Sequence, residues 1–100
     1  MQLIPVTLDV KSSVAVGDPS LVQHLIDKWV YISASFSATL VVEVSPDNTA
    51  TWQPVWTFTD ETGNVEVPQS ATHVRINTTV YASGTPVAKL TGRNVQPGTR

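Results

Sequence analysis

His24 and His73 are the two histidines of this 100-residue chain, which has no cysteine. They fall on different segments with no His-x-x-x-His spacing, so a metal ion would have to borrow carboxylates from turns. The expectation is two exposed or rim histidines. Serine and aspartate are frequent enough to allow a Ser–His–Asp arrangement, but nothing like a Gly-x-Ser-x-Gly elbow presents a nucleophile. Asp60 and Glu61 are adjacent in a turn, and Asp9, Asp18, Glu43 and Asp47 are scattered along other segments. Carboxylates that cleave a glycoside must face each other across a cleft, for which so small a domain has little room. Calcium at Asp47-Asn48 or along 60–64 would need six or more oxygens, and neither turn resembles an EF-hand loop. These residues are expected to be solvated turns. The chain is accordingly expected to have no catalytic residue, metal or cofactor.

The aromatic residues are more informative. Trp29, Trp52 and Trp56, with Tyr31 and Tyr81, are of the type that stacks against sugars on small β-sandwich modules. Trp52, Trp56 and Phe58 share one parity, however, which assigns them to a core. Trp29 and Tyr31 alternate against Val30 and Ile32 and are expected to face outward, where an aromatic pair on a strand marks a contact surface. Protein contact is the first expectation for this pair and carbohydrate the second.

The segments that must carry these residues are strands. From Lys28 to Phe58, Val30, Ile32, Ala34 and Phe36 alternate with polar residues. Ser37 allows a break, and Ala38, Leu40, Val42 and Val44 resume the period of two. Ser45-Pro46-Asp47-Asn48-Thr49 is a turn before the tryptophan-bearing strand. Ahead of this triplet, Ile4, Val6, Leu8 and Val10 make a first strand, which Pro5 places at a sheet edge or rim. Val14-Ala15-Val16 is a second, closed by Gly17-Asp18-Pro19-Ser20. The segment 20–27 has helix-like spacing but is too short for propensity to decide, and we expect an irregular or extended crossover. After the triplet come a hairpin-type turn at 59–64, a short strand Val65-Glu66-Val67, and a long strand in which Val74, Ile76, Thr78 and Val80 alternate. A final strand from Val87 to Thr91 ends at Gly92. The pattern predicts an all-β, antiparallel β-sandwich of seven to nine short strands over residues 1–92, with 93–100 a polar C-terminal tail.

Composition bounds the partners. Only 14% of residues are charged against 41% hydrophobic, so uncharged polar groups must make up the surface. That suits extended protein contact, although threonine-rich strands also follow from β-propensity alone. Such strands, with few edge charges, leave the sheet edges poorly guarded against pairing. Six basic residues against eight acidic ones give a formal charge of −2, and no basic stripe supports nucleic-acid binding. No apolar run approaches a membrane span, and the first residues do not have the form of a signal peptide. A cysteine-free small β domain fits assembly in a reducing cytoplasm.

The order of segments over 28–92 carries a resemblance. It runs W-V-Y-I-S-A-S-F-S-A-T-L-V-V-E-V-S-P-D-N, then Trp52, then T-G-N-V-E-V-P, and then H-V-R-I-N-T-T-V-Y-A-S-G-T-P-V-A-K-L-T-G. This resembles the head decoration, or cement, proteins of tailed bacteriophages, which have a jelly-roll-like β-sandwich. The resemblance implies a non-enzymatic homo-oligomer, most simply a homotrimer. It would be made in the host cytoplasm and seated on the outer capsid surface, where it stabilises the major capsid protein lattice. A related pattern recurs in tail, baseplate and fibre components. Terminal arms often reach the shell in such proteins, so Met1, Gln2, Leu3, Ile4 and Pro5, and Arg93, Asn94, Val95, Gln96 and Arg100, join Trp29 and Tyr31 as interface candidates.

Overall fold

The alternation of aliphatic and polar residues is realised as extended chain almost throughout. The computed structural model describes residues 3–94 and among them contains nine strands and no helix. The strands are β1 (Leu3–Leu8), β2 (Ala15–Val16), β3 (Ser20–Leu21), β4 (Leu25–Ser33), β5 (Phe36–Ser45), β6 (Gln53–Thr59), β7 (Gly63–Glu66), β8 (His73–Gly84) and β9 (Val87–Asn94). A first sheet has the order β1-β9-β4-β7, and a second the order β2-β8-β5-β6, with β3 also pairing β8. Every pairing is antiparallel. β2 and β3 are two halves of one interrupted edge strand along β8. Apart from that interruption and the β5–β6 hairpin, every link passes from one sheet to the other, which makes the sandwich a jelly roll.

Val30, Ile32, Ala38, Leu40, Val42, Val44, Phe58, Val74, Ile76, Ala88 and Leu90 are buried between the sheets. Cross-strand partners such as Val30↔Leu90 and Val42↔Ile76 share the inner face, as the period of two requires.

Several boundaries differ from the sequence expectation for identifiable reasons. The chain turns at Ala34-Ser35, where Ala34 adopts a φ of 74°, and Ser37 lies inside β5 opposite Ser83. The segment 20–27 is the expected extended crossover: β3 in the second sheet, a turn at Gln23-His24 and the start of β4 in the first. The segment 59–64 is an arch between sheets rather than a hairpin. The Asp60 carboxylate accepts the Ala38 N–H at 2.8 Å, and the Asp60 N–H donates to the Ala38 carbonyl at 3.0 Å. A Cβ on Gly63 would stand 2.8 Å from the Phe58 ring, so a side chain there would have to displace that ring. β9 continues past Gly92 because it has neighbours on both sides, with Leu3↔Arg93 on one and Leu25↔Asn94 on the other.

The edges are guarded by backbone chemistry rather than charge. Pro5 lies in edge strand β1 and Pro54 in edge strand β6, and a proline offers no N–H to an incoming strand. The other edge strands are short: β2 and β3 have two residues each and β7 has four.

Candidate functional site

β4 and β9, neighbouring strands inside the first sheet, build its outer face. A register irregularity between Ile26 and Trp29, where Asp27 adopts a φ of 51°, resets the alternation so that Trp29 and Tyr31 point outward while Val30 and Ile32 are buried. Trp29 is 37% exposed and Tyr31 41%, as their parity predicts. Thr91 and Glu66 flank Trp29 across the strands, and Lys89 and Asn64 flank Tyr31. Asp27, Trp29, Tyr31, Thr91 and Arg93 line a shallow groove, with Arg93 Nε 3.7 Å from Asp27 Oδ2 in an exposed ion pair. Such a pair contributes little stability and leaves both charges available to a partner.

The same sheet pairs several of the terminal candidates. Leu3 pairs with Arg93, Ile4 with Gly92 and Pro5 with Thr91, so the described chain begins and ends at one end of this sheet, beside the groove. Arg93 and Asn94 belong to β9 rather than to a tail. Met1, Gln2, Val95, Gln96 and Arg100 lie outside the described residues.

Several of the groups with catalytic potential are engaged in structural hydrogen bonds. Ser45 is buried and donates to Asp47 Oδ1 at 2.9 Å, so no imidazole stands between hydroxyl and carboxylate as a triad requires. Asp47 also accepts the Thr51 N–H at 2.9 Å and the Thr51 hydroxyl at 2.7 Å, and Thr49 N–H donates to Ser45 Oγ at 2.8 Å. This network holds a hairpin in which Asn48 and Thr49 have φ values of 57° and 74°. His73 Nδ1 lies 3.0 Å from the Thr72 hydroxyl, whereas His24 is in the exposed turn before β4. Arg75 Nε donates to Glu43 Oε1 at 2.7 Å, Asn77 donates to Glu43 Oε2 at 3.3 Å, and the Arg75 guanidinium lies 4.1 Å from the Trp52 ring centroid. Among the described residues no three His, Cys, Asp or Glu side chains are grouped to hold a metal. No helix there is long and apolar enough to cross a membrane.

The Thr51 hydroxyl and N–H hold the Asp47 carboxyl below the ordinary aspartate value of 3.8. The Asp18 N–H, followed by Lys11, does the same for Asp9. A carboxylate with a depressed folded pKa adds stability that is present above 3.8 and lost as pH falls through the lower folded value. The melting temperature is therefore expected to fall between about pH 5 and pH 2, and less steeply in Asp47→Asn. Thermal melts across that range check this, and an unchanged slope in the variant would remove Asp47 from the account.

Two tryptophans escaped the alternation. Trp56, assigned to the core by parity, is 57% exposed. A bulge between Val42 and Glu43 leaves Val55 without a cross-strand partner, and Val55 packs against the core in its place. Trp52 is half-buried beside Arg75 rather than fully inside. Lys28 follows the inward parity of Val30 and Ile32 and is fully buried despite its charge. Comparison of the chain with family models, with curated proteins and with solved structures finds no match.

Proposed function

We propose that this chain is a structural virion protein, a decoration protein that docks on the outside of a phage head and stabilises the major capsid protein lattice as a homo-oligomer. The observation that carries the reading is the outer face of the first sheet. An exposed Trp29–Tyr31 pair lies beside an open ion pair and next to the point where both ends of the described chain meet. Aromatic side chains and arginine dominate the energetics of protein contacts, and a rigid sheet presents them without a backbone ordering cost. Shell stabilisation then follows from multivalency: several weak contacts on neighbouring capsid subunits act together, so the oligomer is held far more tightly than one copy. The segment order that resembles decoration proteins supports the same reading.

The test is cosedimentation of the purified protein with expanded heads assembled without it. Saturable binding in fixed ratio to the major capsid protein, with a higher temperature of head rupture, is expected. Absence of binding at micromolar concentration overturns the proposal.

The flanking of Trp29 and Tyr31 by Asn64, Glu66, Lys89 and Thr91 favours a second reading, a carbohydrate-binding face. Saturable quenching of tryptophan fluorescence by polysaccharides, without head binding, would select it.

A further inference from the structure

The groove on the first sheet lies over the bulge in β4. Ile26 pairs with Arg93 and Trp29 with Thr91, so Asp27 and Lys28 together stand opposite Gly92. The two residues part there. Asp27, at a φ of 51°, is exposed and pairs with Arg93, whereas Lys28 is wholly buried. A residue other than glycine in that backbone region is uncommon and persists where its surroundings impose it.

The surroundings here are specific. The Lys28 ammonium turns back and donates to the Leu25 carbonyl at 2.8 Å, closing a ring around Ile26 and Asp27. A Cβ on Gly92 would stand 2.9 Å from Leu25 Cβ and 3.3 Å from Lys28 Cγ, so the bare backbone of β9 is what leaves room for both side chains. Each flank is tied down separately: the Leu25 N–H donates to the Val22 carbonyl at 3.0 Å, and the Val67 N–H to the Lys28 carbonyl at 2.9 Å. Gln69 Nε2 also reaches the Leu25 carbonyl, at 3.2 Å, but from the loop after β7, so it does not join the two ends of the bulge. A buried ammonium with one carbonyl partner is an unfavourable way to fill an interior that an apolar stem of the same length would fill as well. Its position behind the groove gives it a use there.

We propose that Lys28 is the positioning residue of the groove: its ammonium, clasped to the Leu25 carbonyl over Gly92, fixes the bulge that holds Asp27 in the groove with Trp29 and Arg93. The clasp stands on geometry alone, and its consequence for docking rests on the reading of this face as the surface that meets the capsid.

The test compares Lys28→Met with the wild type by NMR, in which a strong intraresidue HN–Hα Overhauser effect marks the positive φ of Asp27. The variant is expected to melt no lower than the wild type, yet to lose that signal as Asp27 relaxes to a negative φ. Its binding to expanded heads is expected to weaken at least about tenfold, because the groove is no longer preorganised. The chain has no cysteine, so Lys28→Cys can be alkylated while unfolded and then refolded. An S-aminoethyl group restores the ammonium and is expected to recover both readouts, whereas an S-propyl group of the same length recovers neither. Gly92→Ala crowds the clasp from across the sheet with Lys28 in place and is expected to lose the signal as well. Retention of the Asp27 signal in both Lys28→Met and the S-propyl chain overturns the proposal. Loss of the signal with undiminished head binding upholds the clasp and moves docking to another surface. Failure of the wild type to bind heads sinks the docking reading, while the NMR comparison still decides the clasp.

Discussion

Under the docking on a phage head proposed above, replacing Trp29 and Tyr31 together by alanine is expected to weaken attachment by about a hundredfold or more per copy, and by more for the proposed oligomer. Truncating a central aromatic anchor typically costs at least about 2 kcal/mol, and each 1.4 kcal/mol is tenfold in affinity. Two adjacent anchors need not add fully, yet in the proposed multivalent oligomer the loss would recur at each contact. The fold should tolerate the change. Both rings stand on the outer face, and their buried neighbours Val30 and Ile32 keep the sheet packed. Cosedimentation at graded concentrations, alongside a thermal melt, separates the effects. A folded double variant that still binds like the wild type would move the docking surface elsewhere.

The second large effect concerns stability, and its sign is informative. Exchanging Lys28 for methionine is expected to stabilise the protein by about 1–3 kcal/mol, at roughly 4–8 °C in melting temperature for each kcal/mol in a domain of this size. The Lys28 side chain is wholly buried, and its ammonium donates to the Leu25 carbonyl at 2.8 Å. Gln69 Nε2 donates to the same carbonyl at 3.2 Å, so methionine leaves no orphaned acceptor while its stem fills the same space. Lys28→Glu sets a carboxylate against that carbonyl and is expected to cost about 3 kcal/mol or more.

Burial pushes the Lys28 pKa below the ordinary 10.5. The unfolded chain therefore binds more protons between the folded value and 10.5, and this residue's contribution to stability climbs with pH across that window. The methionine variant should lack the climb. A methionine variant that melts lower than the wild type would mean that the ammonium satisfies more than one carbonyl.

Much of the jelly roll was legible in the chain because its information is local. Alternation over 30–32 and 38–44 assigned Val30, Ile32, Leu40 and Val42 to one face and Trp29 and Tyr31 to the other, and steric alternation of Cβ atoms is a property of a single strand. Pro5 announced an edge strand because a missing N–H is equally local. The candidate face was half legible. The two aromatics could be assigned outward, but their neighbours Glu66, Asn64, Lys89 and Thr91 lie far from them in sequence and arrive only by strand pairing.

The sequence by itself determined that the chain forms short strands, which residues within an uninterrupted strand share a side, and that the surface is poor in charge. Only the tertiary structure decided where bulges shift that count and which side is covered by a second layer. Trp56 and Val80 shared the parity of buried residues and came out exposed, whereas Lys28 carried a charge and went inside. The physical reason is that alternation orders side chains relative to one another along one strand. Whether a side is dry depends on its register with neighbouring strands and on the reach of the facing sheet, and both are set by contacts between distant parts of the chain.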